Sequence, residues 1–177
     1  MNQYRVTKYN PLFRNEKGSY LKDEWTEYSD VGKSYNESKL SIEEYLNTED
    51  KYISAVINFM MQNNVEFIFA NNIEINESPF DIYATDDMKK MYVLLSENKK
   101  IEIADISSIC KLILRNYIWC KLEQEKMFVH FGYDYTMYIG VDNKENTNVI
   151  KNIEKSGLFV EEFQSPYKYI EDQEEVK

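Results

Sequence analysis

Trp119–Gly140, WCKLEQEKMFVHFGYDYTMYIG, alternates apolar and polar residues on either side of Gly132 and Asp134. Side chains of a strand point alternately to the two faces of its sheet, so this pattern reads as a β-meander. Its strands are predicted over 117–122, Met127–Phe131 and Tyr135–Val141, with turns at Gln124–Lys126 and at Gly132–Asp134. The β-branched and aromatic content of YIWCKL favours a strand over continuation of the preceding helix. The chain's only histidine, His130, lies in the second strand. Parity places it with Phe128 and opposite Met127, Val129 and Phe131, on a face that reads as solvated.

Outward from the meander, helical spacing takes over. Asp105 is a suitable N-cap for a helix with Ile106, Ile109, Cys110, Ile113 and Leu114 on one side and Ser107, Lys111 and Arg115 outside. On the other flank, Val149, Ile150 and Ile153 predict a helix over 147–156. Gly157 stands at its C′ position, and a final strand covers Leu158–Phe163. Earlier in the chain, Gln3–Tyr9 reads as a strand stopped by Pro11, and Trp25–Tyr28 as a second extended segment. Thr48 is placed as the N-cap of a helix over Lys51–Asn63, followed by a strand at Val65–Ala70 and a loop at Asn71–Pro79 with a short extended part at Ile73–Ile75. Thr85 opens a short helix reaching Leu95.

This order predicts an α+β fold: a mainly antiparallel sheet, with a C-terminal β-meander, and helices packed on it. At 177 residues, without internal repeats or a low-complexity linker, residues 1–177 are expected to form one globular domain, with an acidic tail fraying from Tyr169.

The formal charge is −10, from 31 acidic against 21 basic residues, and no Lys/Arg run is long enough to track a phosphate backbone. Nucleic-acid binding depends on neutralising phosphates, so this balance argues against it and points to a basic protein as partner. The acidity also serves solubility in its own right. No signal-like or membrane-spanning apolar segment is present in the sequence, and a cytoplasmic location is expected. Cys110 and Cys120 have neither metal spacing nor a neighbouring histidine and read as reduced core residues.

The chemistry-bearing residues form no familiar constellation. His130 and Asp134 would suit a general acid/base pair, yet no nucleophile accompanies them in sequence. A structural histidine, exposed or hydrogen-bonded, is the competing account. Asp81, Asp86 and Asp87, like Glu43, Glu44, Glu49 and Asp50, lack the regularity of a calcium loop, and no phosphate-cradling glycine motif occurs. No metal, cofactor or catalytic residue is assigned.

What remains is surface character. Fifteen tyrosines and two tryptophans in an acidic chain suggest aromatic anchors flanked by carboxylates. The candidate partner-binding residues are Tyr133, Asp134 and Tyr135 at the meander turn, then Glu24 beside Trp25. Cross-strand pairing explains the same tyrosines equally well.

The runs YRVTKYNPLFRNEKGSYLKDEWTEYSDVGK, LILRNYIWCKL and VHFGYDYTMYIG resemble a family of small, uncharacterised proteins from Gram-positive bacteria. That resemblance carries no catalytic motif and implies no activity. In character, though not in motif, the chain is also similar to immunity proteins, acidic antitoxins that cover the cationic site of a nuclease-type toxin. The expectation is therefore a non-enzymatic binding protein. The alternatives are a small enzyme or ligand-binding domain with a pocket around His130, Asp134 and Tyr135, and an adaptor unconnected with any toxin.

Overall fold

The computed structural model describes residues 1–77, 79–143 and 145–168. The tail expected to fray from Tyr169 lies outside the described residues. The strands are β1 (Asn2–Thr7), β2 (Ser34–Tyr35), β3 (Ser38–Lys39), β4 (Phe67–Ile75), β5 (Lys99–Glu102), β6 (Ile118–Gln124), β7 (Met127–Gly132), β8 (Thr136–Val141) and β9 (Phe159–Glu162). The helices are α1 (Ile42–Gln62), α2 (Asp86–Leu94), α3 (Ile106–Leu114) and α4 (Thr147–Lys155). Seven strands form one sheet in the order β5-β4-β6-β7-β8-β1-β9, every neighbouring pair antiparallel. β2 and β3 make a separate small hairpin. The fold is α+β, with the predicted meander as β6-β7-β8 at the middle of the sheet.

Register explains where the core sits. Ala70, Leu122, Val129, Ile139 and Tyr4 are successive cross-strand partners, and all five are buried. They share one face with Met127, Met137, Cys120 and Val6, and the helices cover it to make one continuous core. Burying each large apolar side chain contributes about 1.5–3 kcal/mol. The opposite face carries a polar row, Asn71, Lys121, His130, Tyr138, Arg5 and Glu161.

Several boundaries differ from the sequence reading. α1 begins nine residues before Lys51, at Ile42, because Ser41 is the N-cap and its hydroxyl accepts from the Glu44 amide. Thr48 lies within the helix and donates to the Glu44 carbonyl instead. Two turns of the helix are masked in sequence because one of their two buried positions, Tyr45 and Glu49, carries a charged residue. Arg115, which the helical pattern places outside, turns in to meet it: Nε and Nη2 lie 2.7 and 2.6 Å from the Glu49 carboxylate, and both residues are buried. Trp25–Tyr28 is not a strand; a 3₁₀ turn occupies Tyr28–Asp30. β4 runs on through the expected loop to Ile75, with a register shift between Asn71 and Glu74 where Asn72 adopts φ +53°. The edge strand β5, four residues of which two are lysines, is too short and too polar to declare itself in the sequence.

Candidate functional site

The β7–β8 turn is shaped by positive φ at Asp134 (56°) and Tyr135 (55°), with the Thr136 amide donating to the Tyr133 carbonyl. Positive φ at both central residues suits the twist of a hairpin, and aspartate tolerates it. Tyrosine does so less readily, and Tyr135 is held by the core. Its ring meets Trp25, Tyr45 and Tyr52 edge-on, and its carbonyl accepts from the Tyr52 hydroxyl at 2.7 Å. The same Tyr52 oxygen accepts from the Lys8 amide at 2.7 Å. One tyrosine of α1 thus fixes the turn to the end of β1.

The five candidate residues consequently separate. Tyr133 is 88% exposed and Asp134 is exposed beside it. Tyr135 and Trp25 are core residues, 5% and 6% exposed, and so are not surface anchors. Glu24 is also engaged within the fold: it takes a hydrogen bond from the Tyr20 hydroxyl at 2.7 Å and pairs with Lys8 at 3.3 Å. The Lys8 ammonium lies 4.1 Å from the ring centroids of both Tyr9 and Trp25. Burial lowers its pKa to about 8, with Glu24 pulling it back up. Glu24 and Trp25 therefore cage a lysine of the same chain. The sequence shows the carboxylate–aromatic pair but not the cation it serves.

Tyr133, Asp134 and Tyr135 border a cleft of about 710 Å³ at one end of the sheet. β4 and β6 form its other wall, where Glu74 stands opposite Trp119 in the ladder and Ile75 is 53% exposed. Glu27 enters from the loop after Trp25, accepting from Ser29 and Asn116. Glu27, Glu74 and Asp134 are the charged residues of the lining, which includes no lysine, arginine or histidine. None of the three forms an ion pair with a described residue. Sequence reasoning reached Asp134 but missed Glu27 and Glu74, because only the fold brings them to the turn.

His130 does not share this cleft. It is wholly buried: the segment after β9 crosses the polar face of the sheet and covers it, overturning the solvated reading. Nδ1 lies 2.8 Å from Ser165 Oγ and Nε2 lies 2.7 Å from Glu123 Oε1. A carboxylate only accepts, so Nε2–H donates to Glu123. With Nδ1 accepting, the Ser165 hydroxyl donates to it while taking the Tyr167 amide. The Ser165 amide donates to Gln3 at 2.9 Å. The hydrogen bond from His130 holds the Glu123 carboxyl below its ordinary pKa, against the opposing effect of burial.

A serine, a histidine and a glutamate in hydrogen-bond contact have the composition of an acyl-transfer triad. Ser165 is also wholly buried, however, and neither it nor His130 lines the cleft. A nucleophile must reach its substrate, so the arrangement as it stands fastens the chain segment rather than presenting a reactive oxygen. Asp134 is not brought to His130. Both cysteines are buried, and burial raises their thiols, that of Cys120 to about 12. Among the described residues no group of acidic, histidine or cysteine side chains is placed to hold a metal ion, and no helix is long and apolar enough to cross a membrane.

Comparison of the chain with protein families, with curated proteins and with solved structures finds no match.

Proposed function

We propose that the protein is a non-enzymatic, cytoplasmic binding protein that neutralises a basic protein, in the manner of an immunity protein acting on a nuclease-type toxin. The observation that supports this most is the cleft at the β7–β8 turn: its charged lining residues are all acidic, in a chain of net charge −10, and the exposed Tyr133 ring stands at its rim. Opposed potentials speed encounter between partners, and an aromatic side chain that excludes water strengthens the charge pairs beside it. The rival reading, an enzyme built on His130, has the Glu123–His130–Ser165 contacts in its favour. The burial of Ser165 weighs against it.

The test is to capture the partner from the native host with the purified protein, identify it, and assay it with increasing amounts of the captor. A basic protein whose toxic or nucleolytic activity falls to zero at a fixed stoichiometry supports the reading. Captured proteins that are uniformly acidic or neutral, or whose activity is indifferent to the complex, overturn it.

A further inference from the structure

The cleft has a more specific chemistry than negative charge. We infer that it binds an arginine side chain carried on an extended segment of the partner, with a neighbouring apolar side chain of that segment resting on Ile75 and Tyr133. This inference rests on the reading that the partner is basic.

The first support is the balance of hydrogen-bonding groups. Glu27, Glu74 and Asp134 supply carboxylates, and the lining includes no basic side chain to neutralise them. At the inner wall, Tyr135 has a buried hydroxyl with no well-formed hydrogen bond among the described residues. Its neighbour, the Tyr45 hydroxyl, gives its proton to the Leu114 carbonyl, another group of the cleft lining. Buried polar atoms of this kind ordinarily have partners. Carboxylates without a basic neighbour suit a ligand that only donates, and guanidinium is such a group, with five N–H donors and no acceptor; the Tyr135 oxygen can accept as well, its own proton being directed at Tyr45.

The second support is shape. Trp119 and Tyr167 place their rings 5.8 Å apart along the cleft, and the Trp119 indole N–H is already given to the Phe131 carbonyl at 3.0 Å. Trp119 therefore offers a ligand its ring and not its donor. A planar guanidinium stacks on aromatic faces and pairs with carboxylates in two-pronged fashion, whereas lysine's ammonium is a compact, strongly hydrated point charge. The register shift in β4 falls immediately before Glu74, and such irregularities redirect side chains beside binding sites.

The third support concerns the source of the cation. A free guanidinium compound needs only the carboxylates. The exposed Ile75 and Tyr133 border the same cleft and add apolar surface beside the exposed Glu74 and Asp134, as suits a side chain arriving with its neighbours on a polypeptide.

The test is a titration of the full chain, followed by amide and indole NMR at low salt. The probes are the peptide acetyl-Gly-Leu-Arg-Leu-Gly-amide and its counterpart with Gln in place of Arg. The arginine peptide is expected to shift the Trp119 indole and the amides of the β7–β8 turn, with affinity about tenfold weaker for the Gln peptide and for a Glu74→Gln/Asp134→Asn variant. Asparagine keeps the positive φ at position 134, so loss of binding there reports the charge. Shifts scattered over other acidic surfaces, equal binding of the two peptides, or no shift at all overturns the arginine assignment. If the intact basic partner is still neutralised in that event, the proposed function stands without it. If no basic partner exists, both fall.

Discussion

The hydroxyl of Ser165 sits 2.8 Å from Nδ1 of His130, joining residues 35 positions apart and pinning the segment after β9 across the sheet's polar face. The seam continues through Tyr167, whose ring meets those of Trp119, His130 and Tyr138. Ser165→Ala removes a hydrogen bond at a buried ring nitrogen and is expected to cost about 1–3 kcal/mol. His130→Ala loses the same bond, removes the ring N–H that Glu123 accepts and opens a cavity, at about 2–4 kcal/mol. Urea unfolding of both variants checks this. A change within the range usual for surface substitutions, about ±0.5 kcal/mol, would mean that the strap contributes nothing to stability.

The sequence carried the fold further than it carried the site, and the reason is physical. Alternation in β6, β7 and β8 is a local signal, and it placed His130 and Phe128 on one face correctly. Whether that face meets water depends on a segment arriving from far along the chain, which no periodicity reveals. Charge was misleading in the same way. Arg115 reads as a solvent-facing helix position because Glu49 meets it only after α1 and α3 have packed. Glu24 and Trp25 read as an unfilled binding pair because Lys8, just past the end of β1, stands sixteen residues earlier in the chain. In each case a charged side chain was assigned to the surface by its type, and a long-range partner brought it inside.

The Glu49–Arg115 pair yields an asymmetric expectation. Glu49→Ala strands a guanidinium that also donates to the Tyr83 carbonyl, and should destabilise by about 3–5 kcal/mol. Replacing both residues by methionine removes the desolvation cost together with the attraction, and should recover most of that loss. Equilibrium unfolding of the single and double variants separates the two contributions; a double variant as unstable as the single would show that the pair is worth more than the packing that replaces it.

Tyr52→Phe tests how the β7–β8 turn is held. The substitution preserves the ring contact with Tyr135 but removes the oxygen that serves both the Lys8 amide and the Tyr135 carbonyl. The expected cost is about 1–3 kcal/mol, with faster hydrogen exchange concentrated at Lys8 and around the turn. Unchanged exchange there would show that the turn is set by its own backbone and not by α1.

Alkaline pH should destabilise the protein through its thiols. Burial raises Cys110 and Cys120 above the ordinary thiol value of 9.0, Cys120 to about 12, so the folded chain retains protons that the unfolded chain releases. Their contribution is complete below pH 9 and is lost as pH rises toward the folded-state values. Lys8 acts in the opposite direction, because its folded pKa of about 8 lies below the ordinary 10.5. Denaturant midpoints of a Cys110→Ala/Cys120→Ala variant, measured from pH 8 to 10, should therefore shift upward with pH relative to those of the wild type, by a margin that widens as pH rises past 9. Identical slopes would remove the thiols as the cause. Both cysteines should also resist a thiol reagent at pH 8 until the chain is unfolded.

Binding should distinguish the carboxylates that face the cleft from the one already spent inside the fold. With the captured partner, association should slow as salt rises, since screening acts over about 8–10 Å at ordinary ionic strengths. Asp134→Asn and Glu74→Gln should each slow association, and, where the carboxylate is buried in the complex, speed dissociation by an amount equivalent to about 2–5 kcal/mol. Glu24→Gln should leave both rates nearly unchanged, because that carboxylate is paired with Lys8 and Tyr20 in the free protein. Trp25→Ala should lose about 3–5 kcal/mol of stability, so that weakened binding follows unfolding rather than a lost contact. Stopped-flow binding from low to high salt, read beside the unfolding free energy of each variant, makes the comparison. If Glu24→Gln slows association as much as Asp134→Asn does, the long-range field of the whole acidic surface governs encounter and the cleft has no privileged part in it.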